Sequence, residues 1–143
     1  MTLQTDKFLK PAIQKYGCYY MCILFMVNKY INRGFDRKDI NDLCEFIPSG
    51  WMGEDCYIKS PVDIFRYLGL NVDDFRREGA DYACKPGEFE ILCFERTYMK
   101  EGRPVTYTHF TCGNGTGVVT YDPSGVSNAV KYGRLRDKRV FEL

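Results

Sequence analysis

Ten consecutive positions, Cys18 to Val27 (CYYMCILFMV), carry only apolar or aromatic side chains. They lie in a segment, Gln14 to Gly34, bounded by Gly17 in front and by Gly34 behind, the latter placed as a C′ glycine would be. A helix that is hydrophobic all round is buried all round, so the pattern predicts a central helix over roughly 18–32, wrapped by the rest of the chain. The run is too short to span a bilayer, and no small-residue cleavage site follows it. Cys18 falls in the first turn of that helix. There the unpaired backbone N–H groups and the positive end of the dipole favour a thiolate over a thiol.

A chain of 143 residues is about one domain, here 1–143, and long enough to bury a core without covalent staples. Its seven cysteines are an odd count, and Cys22, Cys44 and Cys93 sit inside apolar periodic runs where a reduced thiol packs as a small hydrophobe. Both features speak against a secreted disulfide scaffold and for a cytoplasmic protein. The net charge of +1 gives no reason to expect nucleic acid or an anionic membrane as partner.

Residues 1–13 read as an extended, polar lead-in. After the central helix, Asp36 caps a second one with Asp39 at N3 and Ile40, Leu43, Cys44 and Ile47 on one face, ended by Pro48. The loop SGWMGEDCYIK follows, and its Trp51–Tyr57 part is a candidate wall for a cleft. A third helix starts at Ser60-Pro61, buries Ile64, Phe65 and Leu68, and stops at Gly69. The period then changes. Phe89–Phe94 (FEILCF) reads as a buried strand after a polar connection, and Lys100–Pro104 as a turn. Val105–Cys112 and Gly117–Asp122 form a hairpin, and Val130–Leu135 and Lys138–Leu143 a last strand pair around Arg136-Asp137. Helices before an antiparallel sheet make an α+β domain with the central helix packed on the sheet.

The chain holds one histidine, His109, so a general base at neutral pH must be this residue. With Asn114-Gly115 as a two-residue turn, Asp122 becomes the diagonal neighbour of His109. With Gly115-Thr116 as the turn, the two are directly opposite. Both registers put ring and carboxylate on one face, leaving Phe110, Val119 and Tyr121 on the other. A three-residue loop would separate them. Cys18, His109 and Asp122 then compose a nucleophile, its base and the group that orients the base.

The order of these residues, with helices before sheet, resembles papain-like cysteine peptidases, and most closely the bacteriocin-leader-processing type and related bacterial and phage murein peptidases. The resemblance rests on Gln14 upstream of Gly17-Cys18, on Thr108-His109-Phe110, and on Tyr121-Asp122-Pro123 with Ser124-Gly125. It implies a papain-like fold and a thiol-dependent hydrolase acting on a peptide, protein or murein amide bond without metal or organic cofactor. Cys18 would be the nucleophile, His109 the base, Asp122 its orienter and Gln14 the oxyanion donor beside the Cys18 N–H. Only three residues separate Gln14 from Cys18, fewer than the family pattern has, and Gln4 is set aside as too distant.

Each residue alone has an ordinary structural role: a buried thiol, a satisfied strand histidine, a turn-starting Asp-Pro. A non-catalytic module on the same fold is one alternative. A zinc site from Cys18, Cys22, His109 and Cys112 is another, opposed by strand alternation, which points Cys112 away from His109.

Overall fold

The computed structural model describes residues 1–143 as an α+β domain built on a five-stranded antiparallel sheet. The apolar run forms helix α2 (Cys18–Ile31), with Tyr20 to Leu24, Met26 and Val27 fully buried. One side of α2 packs on the sheet. Tyr19 lies 4.3 Å from the Phe110 ring, Phe25 stacks on Tyr121 at 4.5 Å, and the Cys112 thiol donates to the Cys22 carbonyl at 3.5 Å. The other side meets α3 (Arg37–Phe46), where the Tyr20 hydroxyl donates to the Ile40 carbonyl. Asn32, left-handed at φ 55°, ends α2, not Gly34. Its short polar side chain tolerates that conformation, and the helix is closed before the glycine is reached.

Residues 1–13 depart from the extended lead-in. Pro11 at N1 opens a short helix, α1 (Pro11–Tyr16), whose Ile13 is fully buried, as are Leu9 and Gln4 nearly so. Gly17 joins α1 to α2 at close quarters: a Cβ there would sit 2.5 Å from the Ile13 carbonyl oxygen and 2.9 Å from its Cα. Both neighbours are backbone and cannot swing aside. Gly17→Ala is therefore expected to cost about 1–3 kcal/mol, as overpacking does, which a thermal melt will read.

The capping box of α3, Asp36 with Asp39, forms as the sequence predicts. Helix α4 (Pro61–Tyr67) starts after Ser60, although the Ser60 hydroxyl donates to the Asp63 carboxylate and caps no backbone group. Helices α2 and α4 lie on one face of the sheet, Phe65 of α4 packing on Phe89 and Phe141, with α1 and α3 against α2.

In the sheet the order is β1 (Asp74–Gly79), β5 (Arg134–Glu142), β2 (Glu88–Lys100), β3 (Arg103–Gly113) and β4 (Val119–Tyr121). The polar connection thus contains an unexpected edge strand, β1. The expected last strand pair is also corrected. Residues 128–132 form a short helix, α5 (Asn128–Tyr132), capped by Ser127, and Arg136-Asp137 lies within the continuous strand β5. The charged residues of β5 pair instead of turning: Asp137 takes Arg136 and Arg139 along the strand, and Lys138 reaches across to Glu90 on β2. Helix α5 covers the second face, where Ala129 packs with Leu92 and Phe94. No helix is long and apolar enough to cross a membrane.

Candidate active site

Asp122 leaves β4 in an Asp-Pro-Ser-Gly turn whose chemistry fixes its carboxylate. Oδ1 accepts from the Ser124 backbone N–H at 2.9 Å, the Asx-turn bond, and Oδ2 from that of Ser127 at 3.2 Å. The remaining donor is His109, with Nε2 2.8 Å from Oδ1. Both side chains are nearly buried, 10% and 6% exposed, so little water competes for the bond.

The same-face placement of His109 and Asp122 arises differently from either two-residue register. The hairpin loop is five residues, Asn114–Val118, with Cys112 opposite Tyr121 and Gly113 opposite Val119. That is a one-residue shift, a β-bulge, and it restores the parity that an odd loop removes. Continued by one position, the pairing sets Asp122 against Thr111, diagonal to His109. The loop itself is held from beneath: Glu90 accepts from the Gly115 and Gly117 N–H groups at 3.0 and 2.8 Å.

Strand alternation sends Phe110 and Cys112 towards α2 and His109 to the opposite face, beside Phe94 in register. Because β4 pairs with β3 only at Cys112 and Gly113, no strand covers the edge of β3 next to His109. At that edge the ring is bonded to Asp122 and lies near enough to the Cys18 thiol to be shifted by it. With Nε2 on Asp122, Nδ1 is the nitrogen left for sulfur. Burial pushes the imidazole pKa down, but hydrogen bonds to Asp122 and Cys18, and their charges, outweigh it and raise it from 6.5 to about 9. Asp122 moves the other way. Its burial penalty is overcome by the bonds from His109, Ser127 and Ser124, which hold its carboxyl down at about 2. Through the neutral range the pair is thus imidazolium and carboxylate, with the half-buried Cys18 side chain beside the cation.

Gln14 is not brought to this group. Its amide donates to the Leu9 carbonyl at 2.7 Å, a bond internal to the α1 corner. The glutamine next to the site is Gln4, which the linear distance had set aside. Its backbone N–H donates to the Pro123 carbonyl at 2.7 Å and its amide to the Gln14 carbonyl at 3.1 Å, one turn ahead of Cys18. Its buried Oε1 has no partner. Helix α1 lies between Gln4 and Cys18 in the chain, and the bond from the Gln4 amide to the Gln14 carbonyl closes that stretch back on itself.

The zinc alternative finds no donor set. Cys112 is bonded to the Cys22 carbonyl on the α2 side, His109 to Asp122 on the other, and no three His, Cys, Asp or Glu side chains cluster as ligands. All seven cysteines are free thiols.

A cleft of about 410 Å³ opens beside Cys18. Tyr19, Thr108 and Phe110 form its floor, and Asp55, Cys56, Tyr57 and Ile58 of the loop after α3 form one wall. Trp51 is not part of that wall; it packs on Tyr67 instead. Lys15, Arg77, Arg136 and Arg139 line the remainder. Sequence reasoning missed Arg77 because it had no β1, and Arg136 because it placed that residue in a turn.

No curated protein and no solved structure matches the chain. A family model described as "Protein of unknown function, DUF261" matches residues 1–143, and the chain belongs to that family.

Proposed function

We propose that this domain is a thiol-dependent hydrolase of papain-like topology that cleaves a peptide or protein amide bond with Cys18, His109 and Asp122. The observation that carries the reading is the single imidazole, bonded through Nε2 to Asp122 and facing Cys18 at the start of the buried helix. In the proposed reaction the Cys18 proton resides on His109, and the thiolate attacks the carbonyl carbon, forming a C–S bond and an oxyanion. Backbone N–H groups at the start of α2 hold that oxygen, with the Gln4 amide beside them in the role first expected of Gln14. The C–N bond breaks as His109 gives its proton to the leaving amine. Water then attacks the thioester, His109 takes its proton, and the carboxylic product leaves. Asp122 keeps the ring oriented and its charge compensated throughout. The seven free thiols suit a reducing compartment, in keeping with the cytoplasmic assignment.

Alkylation by iodoacetamide, mapped by mass spectrometry from pH 5 to pH 9, tests the arrangement. Cys18 sits beside the His109 ring at the open start of α2, and it is expected to be the first of the seven thiols alkylated. Cys44 is the informative competitor. Its hydrogen bond from Cys56 holds it at about 7, so it should follow, with Cys84, pushed by burial up to about 11, far behind. His109→Ala should move Cys18 to the back of that order and leave Cys44 where it was. Cys18 reacting no earlier than Cys84 in the wild type would remove the nucleophile from the proposal.

A further inference from the structure

The cleft beside Cys18 has a charge distribution the overall composition conceals. The chain carries +1 in total, yet the cleft is lined by four cations, Lys15, Arg77, Arg136 and Arg139, and one acid, Asp55. Part of this charge is answered from behind. Asp137 accepts from Arg136 at 2.9 Å and from Arg139 at 3.0 Å, and Glu95, shared with Arg134, reaches Arg136 at 3.4 Å. Arg77 and Lys15 have no acidic partner within ion-pair distance. The register between the strands sharpens the point. Arg77 on β1 stands directly opposite Arg139 on β5, and like charges in that relation repel across an antiparallel ladder.

Arg139 cannot move away, since it is 9% exposed, tied to Asp137 and laid over the Phe110 ring at 5.2 Å. Tyr19, which also lines the cleft, has a buried hydroxyl beside the Arg139 guanidinium with no acceptor for its proton. Two opposed guanidiniums and a phenol are a donor set for a planar anion, which accepts paired N–H bonds from arginine.

We propose that this cleft takes a carboxylate of the substrate, held between Arg77 and Arg139, so that the enzyme selects an acidic residue close to the scissile amide. The inference rests on Cys18 being the nucleophile, and it assigns specificity to residues outside the triad. A bridging carboxylate removes the Arg77–Arg139 repulsion and fixes the neighbouring amide against the sulfur. Arg77, exposed on the edge strand, is the residue that can be changed without disturbing the core.

Paired alkylating probes, neutral iodoacetamide and anionic iodoacetate, test the proposal without a known substrate. The Cys44 thiol in the same sample gives the ratio of the two rates away from the cleft. At low ionic strength the iodoacetate-to-iodoacetamide ratio at Cys18 is expected to exceed that at Cys44 by about tenfold. Arg77→Gln should lower the excess and Arg77→Glu should abolish it, while the iodoacetamide rate at Cys18 changes far less and the melting temperature does not fall, since either change relieves the repulsion of Arg139. Added salt should shrink the wild-type excess. An excess that survives in Arg77→Glu would belong to the His109 imidazolium and would overturn the carboxylate site. So would a wild-type ratio equal to that of Cys44 while Cys18 still reacts early with iodoacetamide, a result that leaves the nucleophile standing. Slow reaction of Cys18 with both probes would instead refute the hydrolase reading on which this one is built.

Discussion

On the proposed mechanism, Cys18→Ala protein is expected to fold as the parent does and to lose turnover of an activated ester or thioester down to the small residual rate that binding and the oxyanion donors alone supply. Removal of the nucleophile from a comparable triad lowers kcat by about a million-fold, because no other group can form the acyl intermediate. Stability is a separate matter. Cys18 is half-buried and makes none of the α2 contacts to Ile40, Phe110 or Tyr121, so a melt should move by only a few degrees. The expected pattern is therefore a large kinetic effect with a small thermal one. His109→Ala should lie within about tenfold of Cys18→Ala, since members of a unit that acts together do not contribute additively. Retained turnover in Cys18→Ala, with the protein folded, would show that the chemistry lies elsewhere.

Glu90→Ala is expected to give the largest loss of stability among single changes remote from the triad. Glu90 and Lys138 are 0% and 1% exposed and 3.0 Å apart on the second face of the sheet. Glu90 also accepts the Gly115 and Gly117 N–H groups, and Lys138 donates to the Tyr82 carbonyl at 2.6 Å. Truncation leaves an ammonium buried with one carbonyl and two backbone donors with nothing, a cost of about 3–5 kcal/mol. For a domain of this size that lowers the melting temperature by on the order of 10 °C. Replacing both partners by apolar residues should recover part of the loss, because the charges vanish together. It should not recover all of it, since the two loop N–H groups remain orphaned. The Asn114–Val118 loop leads into β4 and so to Asp122, and activity should fall in Glu90→Ala even below its melting temperature.

The helices that could be read from the chain are those whose ends carry their own chemistry. Asp36 with Asp39 and Ser60 with Pro61 mark α3 and α4 locally, and the apolar run marks α2 whatever surrounds it. What escaped was decided at a distance. Strand β1 (DFRREG) is polar because it is an edge, and alternation shows only where one face is fully buried. Strand β5 was broken at Arg136-Asp137 because charge in a strand reads as solvent, whereas here Lys138 and Arg139 are buried against acids on β2 and on β5 itself. His109 and Asp122 were legible as a pair, but for an incomplete reason. Parity was expected from a two-residue turn and comes from a five-residue loop with a bulge. Gln14 was expected beside Cys18 and Gln4 set aside on linear distance, but the Gln14 amide bonds the Leu9 carbonyl and the Gln4 amide bonds the Gln14 carbonyl, because α1 lies between Gln4 and Cys18.

The bond from the Gln4 N–H to the Pro123 carbonyl, and that from the Tyr121 hydroxyl to the Thr2 carbonyl at 2.9 Å, join parts of the chain about 119 positions apart. Closures of such length pay their entropy late, after local helices and the β2–β3 hairpin have formed. Most of the molecule can assemble while the turn that presents Asp122 is still unfastened. On the proposed mechanism, alignment of Cys18 with His109 and Asp122 would then be completed only at the final stage of folding, and a nascent or partly opened chain would carry that thiol unaligned.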